Sequence, residues 1–289
     1  MFPEHVDDIL REIPAGSLGT RAEAFAAIRK LGLEDFGNVL WKMPTAKYPE
    51  LSKKLPPMAG DEITKRWTGS SGVVLLQQSV SFVRACSDNY TALTNQTLRD
   101  KMILDFGCGY GRFLRLFTFY SDHVLGVDAW EKSIDLCRAA GFEDRVKKSD
   151  EVPNEIPFSS PFDFMFAFSI FTHLSEKSAV ASLKALRAAC KPGGILCVTI
   201  RPVEYWEFAA NGSLSSMKDI ARSKIGEHKT NGFAYIPHRI PGKDPAEVHY
   251  GDTSMTLEWL LARAPGWEFE TMDRSINDSL QRYVFLRAV

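Results

Sequence analysis

The chain has 289 residues, with a formal net charge of −1 at pH 7, 45% hydrophobic residues and 25% charged residues. These values are ordinary for a globular chain and exclude collagen-like, low-complexity and wholly disordered classes. Because 35 basic residues balance 36 acidic ones, the chain has no overall positive field that would favour nucleic acid or an anionic membrane as a partner.

Cellular location is predicted from the apolar runs, the N-terminus and the cysteines. No apolar run approaches the roughly 18 residues of a spanning helix, and residues 1–13 carry four acids where a secretory signal would be basic. The five cysteines are an odd number without a CxxC pair, which favours neither a disulfide framework nor a zinc site. We therefore expect a reduced, cytoplasmic protein without a membrane partner.

The first hundred residues are predicted to be helical. Thr20 followed by Glu23 is typical of a capping box, and Gly32 lies where that helix would end. Apolar residues spaced by three and four predict a second helix over residues 72–87. We expect residues 1–99 to form a helical cap region.

From residue 101 onward, short apolar runs alternate with helical stretches. Alternation of this kind predicts a Rossmann-like, doubly wound, mostly parallel sheet with helices on both faces. The predicted strands are 101–106, 123–128, a short one at 145–148, 163–168 and 194–200, and the predicted helices are 111–120, 130–140 and 175–190.

The segment after residue 200 interrupts this alternation. Residues 202–251 are predicted to be an insertion, and two strands joined by a tight turn must then pair antiparallel at the end of the chain. The predicted elements are a helix at 214–225, a hairpin of 232–238 with 247–250, a helix at 253–264, and strands at 267–275 and 281–288. The whole sheet would have seven strands, with the last one antiparallel.

The most informative motif follows the first strand. Asp105 ends that strand, and Gly107, Gly109 and Gly111 allow the backbone to approach a ligand at a helix N-terminus. The next strand ends at Asp128, 23 residues after Asp105, where a carboxylate can accept hydrogen bonds from both hydroxyls of a ribose. An acid before GxGxG would repel a diphosphate and suits a cationic nucleoside.

This arrangement resembles the class I S-adenosylmethionine-dependent methyltransferases, whose first motif is an acid followed by GxGxG. Residues 162–169 resemble the family's fourth motif, and residues 186–196 resemble the turn into its fifth strand. The resemblance covers residues 100–201 well and 252–289 more loosely. It implies a methyltransferase domain over residues 100–289, with S-adenosylmethionine as cofactor and S-adenosylhomocysteine as product.

The resemblance also implies a set of cofactor residues. Asp105 and the glycines would meet the methionine end, Asp128 the ribose, and Trp130 the adenine, although Trp130 could equally pack on a helix face. Trp67, which lies just before a glycine-flanked helix start, could close over the cofactor or serve packing alone. The full predicted set is Asp105, Gly107, Gly109, Asp128, Ala129, Trp130, Ser149, Asp150, Phe168 and Trp67.

The predicted acceptor is a small molecule, such as a sugar or another hydroxylated metabolite. A hydroxyl acceptor benefits from a general base, and histidine suits that role near neutral pH. His173, just past the fourth strand, is the first candidate and His249 the second, although His173 could instead be a capping or core-edge residue. The insertion is expected to act as a lid on the acceptor site, and no metal site is predicted.

Two other functional classes remain open on the sequence. One is a non-catalytic module that binds S-adenosylmethionine, and the other is a nicotinamide-dependent oxidoreductase, which the GxGxG spacing disfavours. A monomer and a homodimer are both compatible with the sequence.

Overall fold

The computed structural model describes residues 1–14, 16–212 and 215–289. One sheet has seven strands in the order β3-β2-β1-β4-β5-β9-β8, and a separate sheet pairs β6 with β7. The strands are β1 (Ile103–Phe106), β2 (Val124–Asp128), β3 (Val146–Lys148), β4 (Phe162–Ala167), β5 (Cys190–Ile200), β6 (Phe233–Pro237), β7 (Gly251–Met255), β8 (Trp267–Asp273) and β9 (Arg282–Ala288).

The helices divide into a run before β1 and a set between the strands. They are α1 (Glu4–Arg11), α2 (Arg21–Ile28), α3 (Leu33–Trp41), α4 (Pro49–Lys54), α5 (Asp61–Thr68), α6 (Gly72–Thr94), α7 (Arg112–Phe117), α8 (Glu131–Ala139), α9 (Glu176–Ala189), α10 (Glu204–Asn211), α11 (Ser215–Asn231) and α12 (Leu257–Ala262). Among the residues described, no helix combines the length and hydropathy needed to cross a membrane.

The directions of the strands confirm the predicted fold class. β1 pairs parallel with β2, and β4 pairs parallel with β5, whereas β9 is antiparallel to both β5 and β8. The sheet is therefore Rossmann-like and mostly parallel, with an antiparallel last strand, as the alternation of strands and helices predicts.

Internal contacts divide the chain into two compact units. The first unit comprises residues 1–91 and 95–147, and the second comprises residues 92–94 and 148–289. The predicted division into a helical cap over residues 1–99 and a methyltransferase domain over residues 100–289 stays a prediction.

In the first unit, capping residues determine where the early helices begin and end. Thr20 and Glu23 form the predicted capping box at the start of α2, with both reciprocal hydrogen bonds present. α2 ends at Ile28, and Gly32 precedes α3 as its N-cap residue rather than ending α2. The buried side chains Phe25 and Phe36 join these helices in one hydrophobic cluster.

In the second unit, two predicted boundaries after the insertion are wrong. β6 pairs antiparallel with β7, Gly251–Met255, rather than with residues 247–250. The predicted helix at 253–264 begins only at Leu257, because the Thr256 hydroxyl caps it by accepting a hydrogen bond from the Trp259 amide. Capping at Thr256 leaves residues 251–255 extended and available to β6.

The insertion has its own small hydrophobic cluster. Trp206, Ala221 and Ala234 are buried together, and they come from α10, α11 and β6. The predicted helix at 214–225 corresponds to α11, although Leu214 lies outside the described residues. The local cluster explains how a segment between two strands of the main sheet can hold a defined shape.

Candidate functional site

The glycine turn after β1 adopts a backbone that favours glycine. Gly107, Gly109 and Gly111 have φ angles of 84°, 54° and 76°, all in the left-handed region. The Gly107 amide donates to the Val127 carbonyl at 2.8 Å, which ties the turn to β2. The predicted motif therefore forms the turn between β1 and α7. Gly107 and Gly109, beside β2, have no side chain of their own to cover the backbone of this turn.

Asp128, at the end of β2, is bound to the same turn. Its Oδ2 accepts the Gly109 amide at 2.9 Å, and its Oδ1 accepts the Trp130 amide at 2.9 Å. Burial raises the pKa of Asp128, and the two amide bonds oppose that rise. Because a carboxylate offers about four acceptor positions, both oxygens keep capacity for further donors such as ribose hydroxyls.

Asp105 is a buried carboxyl group with unmet hydrogen-bonding capacity. Its side chain is 1% exposed, and its Oδ2 has no hydrogen-bond partner in the described part of the chain. Burial holds the pKa of Asp105 well above its usual value, the charge of Arg112 lowers it, and the charge of Asp128 raises it. A buried oxygen without a partner is costly, so this group is a candidate to receive a donor from a ligand.

Aromatic side chains stand against the glycine turn. A Cβ placed on Gly109 would lie 3.9 Å from Cε3 of Trp67, which comes from α5. Trp67 meets Trp130 edge-on with ring centroids 6.1 Å apart, and the ring centroids of Trp67 and Tyr110 are 5.9 Å apart. Trp130 keeps 43% of its surface exposed, so this aromatic group presents a ring to solvent.

The structure brings seven of the ten predicted cofactor residues together in the first unit. They surround the turn and the end of β2, and they are Trp67, Asp105, Gly107, Gly109, Asp128, Ala129 and Trp130. Ser149, Asp150 and Phe168 belong to the second unit: Ser149 is buried, Asp150 is exposed, and Phe168 lies 6.3 Å from Tyr283 between ring centroids.

The second unit contains a polar cluster built around Asp252 on β7. Arg201 Nη1 donates to Asp252 Oδ1 at 2.8 Å, and Arg201 Nη2 lies 3.2 Å from His173 Nε2. On the other side, His238 Nε2 lies 3.2 Å from Asp252 Oδ2. Burial raises the pKa of Asp252, but the charge and hydrogen bond of Arg201 outweigh burial and leave that pKa lowered. Asp252 is therefore ionised and orients three neighbouring side chains.

His173 uses both ring nitrogens within this cluster. Its Nδ1 lies 2.6 Å from the Gly251 carbonyl, which can only accept, so Nδ1 carries the proton and Nε2 accepts from Arg201. The ring stacks on Tyr250 with centroids 5.0 Å apart. Burial, assisted by the charge of Arg201, lowers the pKa of His173 to about 4. The assignment of His173 as a catalytic base stays a prediction, and in this arrangement it can take a proton only if Arg201 leaves Nε2.

His249 and His238 have different surroundings. His249 lies beside the start of α9, where its Nδ1 is 3.1 Å from the hydroxyl of Ser175, the N-cap residue. Its catalytic assignment also stays a prediction. His238 has 46% of its side chain exposed, and its Nδ1 has no hydrogen-bond partner among residues with described side chains. Sequence analysis did not select His238 as a catalytic candidate, because only folding pairs it with Asp252.

Three side chains in this cluster also have the composition of a metal site. Ligand atoms of His173, His238 and Asp252 lie within 4.8 Å of one another. The guanidinium of Arg201, however, donates to Asp252 Oδ1 and lies 3.2 Å from His173 Nε2. It already supplies positive charge at the place where a metal cation would bind, and a cation would have to displace it.

Comparisons with known proteins agree with this geometry. Residues 103–194 match a family model described as a methyltransferase domain. A ubiquinone biosynthesis O-methyltransferase of Bordetella bronchiseptica is 30% identical over 107 residues, covering 35% of this chain and 43% of that protein. The enzyme of the same name in Marinobacter nauticus is 25% identical over 109 residues, covering 36% of this chain and 45% of its own length.

The chain thus spans less than half the length of these curated relatives. Among solved structures, the PH0226 protein from Pyrococcus horikoshii OT3 aligns with a TM-score of 0.51 and 16% identity, covering 80% of this chain and 100% of that one. This likeness shows the fold. The match over residues 103–194 identifies that part of the chain as similar to a methyltransferase domain.

Proposed function

We propose that this protein transfers a methyl group from S-adenosylmethionine to a hydroxyl group of a small molecule. The observation that carries the proposal is the unpartnered Oδ2 of Asp105, buried beside the glycine turn. A carboxyl group in such a place suits a ligand that brings a cationic donor, and the amino-acid end of S-adenosylmethionine carries an ammonium group. The cofactor supplies an activated methyl group on a sulfonium.

The other residues of the first unit fit the rest of that ligand. Asp128 has acceptor capacity for the two ribose hydroxyls, and the exposed ring of Trp130 offers a flat apolar surface for a purine. The bare backbone at Gly107 and Gly109 leaves room for a close approach. Ala129, Ser149, Asp150 and Phe168 complete the proposed cofactor set, and Trp67 covers the turn.

Transfer to oxygen and a small acceptor are supported by two observations. The curated relatives named above are O-methyltransferases of ubiquinone biosynthesis. The chain is nearly neutral, with 35 basic and 36 acidic residues, which disfavours a polyanionic acceptor. We assign the insertion, residues 202–251, the role of a lid over the acceptor.

The second unit supplies the groups that can remove the acceptor's proton. His238 combines an ionised partner, Asp252, with a ring nitrogen open to solvent, which are the properties of an oriented general base. Arg201 donates to Asp252 Oδ1 and holds that side chain in place. In this proposal His238 takes the proton, and His173 positions Arg201 through its Nε2.

The test begins with isothermal titration calorimetry of the purified protein with S-adenosylhomocysteine, and with NADH as the contrasting ligand. S-adenosylmethionine is then incubated with catechols, simple phenols and monosaccharides, and release of S-adenosylhomocysteine is measured. Binding followed by acceptor-dependent release supports the proposal. Binding without release from any acceptor favours a non-catalytic module, and binding of NADH alone favours an oxidoreductase.

Location and assembly complete the proposal. All five cysteines are free and buried, which supports residence in the reducing cytoplasm. A monomer or a homodimer with a small-molecule acceptor, and without nucleic acid, is the proposed working form. Sedimentation velocity of the purified protein distinguishes the two assemblies.

A further inference from the structure

A buried chain of hydrogen bonds links three elements of the second unit. The indole Nε1 of Trp206, on α10, donates to Ser254 Oγ, on β7, at 2.6 Å. Ser254 Oγ in turn lies 2.8 Å from Nδ1 of His228, on α11. Trp206 and Ser254 are fully buried, and His228 is 6% exposed. The two helices of the insertion are therefore joined to β7 by polar contacts inside the protein.

The direction of each hydrogen bond in this chain follows from its donors. An indole N–H can only donate, so Ser254 Oγ accepts from Trp206 and keeps its own hydrogen for another partner. Among residues with described side chains, His228 Nδ1 is the acceptor that this hydrogen can reach. Nδ1 must therefore be unprotonated, which leaves the proton of the neutral His228 ring on Nε2.

The surroundings of His228 compensate a positive charge poorly. Burial lowers the pKa of His228, the charge of Glu204 on α10 raises it, and the charge of Lys229 on α11 lowers it. Glu204 is 54% exposed, so water and salt screen its charge. β6 packs in the insertion's cluster through the uncharged Ala234, and β7 contributes the Ser254 hydroxyl. The last turn of a helix favours a cation, yet the pKa of His228 remains lowered.

A proton on Nδ1 of His228 is incompatible with this chain. Nδ1 would become a second donor to Ser254 Oγ, which already accepts from Trp206, and the Ser254 hydrogen would lose its acceptor. A positive charge would also be held in a buried position. Both costs disappear when the His228 ring reaches water. Protonation therefore favours a state in which α11 has separated from β7.

The insertion can open without disturbing the main sheet. The buried part of its hydrophobic cluster consists of three side chains, those of Trp206, Ala221 and Ala234. The strands β4, β5 and β9 pair with one another, and their pairing uses no residue of α10 or α11. Because a segment with few buried apolar contacts opens at low cost, one unfavourable proton can shift its equilibrium.

We propose that the insertion is a pH-sensitive lid, in which protonation of His228 releases α11 from β7 while the seven-stranded sheet stays folded. Its role as a lid rests on the proposed function, whereas its opening is measured without cofactor or acceptor. The closed state disfavours the proton, so it is fully favoured above about pH 6.5 and loses population as the pH falls below that value. Between about pH 7.5 and about pH 5.5, the open population should rise by as much as about tenfold.

Hydrogen–deuterium exchange with mass spectrometry measures the opening on the full-length protein at about pH 7.5 and about pH 5.5, with labelling times scaled for the pH dependence of intrinsic exchange. Peptides from α10 and α11 should lose protection at the lower pH, while peptides from β4 and β5 keep theirs. His228→Gln stays neutral and offers an amide oxygen to Ser254, so its protection should not depend on pH. His123→Gln, at an exposed position of the first unit, is the control and should behave as the wild type does.

Nitrogen-15 NMR of the histidine rings tests the hydrogen-bond chain on the wild-type protein, whether or not the variant folds. The His228 signals are assigned as those that are missing from the spectrum of His228→Gln or that respond to Ser254→Ala. At about pH 7.5 the His228 ring should carry its proton on Nε2 and none on Nδ1. The midpoint of its titration should lie below about pH 6.5, because burial lowers the pKa of His228.

Three results would overturn the pH-sensitive lid. They are α10 and α11 peptides whose protection is the same at both pH values, an equal loss of protection in His228→Gln, and a neutral His228 ring that carries its proton on Nδ1. A protein that fails to bind S-adenosylhomocysteine but shows the pH-dependent exchange overturns the proposed function instead. In that case the opening of the insertion stands, and only its role as a lid over an acceptor is lost.

Discussion

The two units use aspartates in opposite ways. In the first unit, Asp105 and Asp128 are held by burial at raised pKa values, and no side-chain cation is hydrogen-bonded to either in the described part of the chain. In the second unit, Asp252 is bound by Arg201, which keeps its pKa lowered. A carboxyl group that lacks hydrogen-bond partners is available to a ligand, whereas one that is already hydrogen-bonded within the protein can only hold its neighbours.

The contrast assigns different costs to the two sites. In the first unit, carboxyl groups with unmet hydrogen-bonding capacity lower the stability of the unliganded protein, and a bound ligand can relieve that cost. In the second unit, Asp252 is already paired with Arg201, and this pairing adds to the stability of the protein. Substitutions in the two sites should therefore change the free energy of unfolding in opposite directions and by different amounts.

The largest expected effect comes from removing the cation of the second unit. Arg201→Ala leaves Asp252 partly buried and unpaired, so the free energy of unfolding should fall by about 3 kcal/mol in urea denaturation. Arg222→Ala is the matched control, because that arginine pairs with Asp219 at the surface and should change stability by less than about 0.5 kcal/mol. Equal losses of unfolding free energy in both variants would contradict the proposed difference between the two units.

Removing an aspartate from the first unit should instead spare stability and reduce cofactor binding. Asp128→Ala removes the acceptor for ribose hydroxyls, and calorimetry with S-adenosylhomocysteine should show a loss of about 2 kcal/mol. Asp135→Ala, at an exposed position of α8, should bind as the wild type does. Unchanged affinity in Asp128→Ala would remove this residue from the site.

The lowered pKa of His173 predicts that the stability of the protein depends on pH. Its pKa is lowered to about 4, so the folded protein favours the neutral ring and loses stability as pH falls from about 6.5 toward 4. The loss should reach about 1.5 kcal/mol by about pH 5.4, and His173→Gln should flatten that slope in urea titrations. His123→Gln, at an exposed site, serves as the control and should leave the slope unchanged.

The smallest expected effect is a gain in stability in the first unit. Because the pKa of Asp105 is raised, its ionised form destabilises the unliganded fold at pH values above that raised pKa, and the penalty vanishes below about 3.8. Asp105→Asn should therefore stabilise the unliganded protein by about 1 kcal/mol in alkaline buffer while weakening S-adenosylhomocysteine binding. A variant that binds normally would show that Asp105 does not receive the ligand.

The glycine turn and the position of Asp128 beside it were predictable because their signals are local. The glycines after Asp105 and the acid at the end of β2 lie in short segments whose backbone follows from residue type and strand position. Parallel strands then bring Asp128 beside the turn, where the Gly109 amide binds it.

The polar cluster and the hairpin were not predictable in the same way. Arg201 and Asp252 are 51 residues apart, and which partner holds each histidine depends on where β7 pairs with β6. The sequence could not show that residues 251–255 rather than 247–250 pair with β6, because the register of a strand depends on its neighbouring strand and not on its own pattern. The hydrogen-bond partners of His173 and His238 follow from that pairing.

By itself, the sequence determined a mostly parallel sheet, a glycine turn and two aspartates at the ends of neighbouring strands, because hydrophobic period and glycine conformation act over a few residues. Tertiary structure alone decided which aspartate stays unpartnered and which histidine nitrogen carries a proton. Burial and hydrogen bonding arise between residues distant in sequence, and they exist only once the chain has folded.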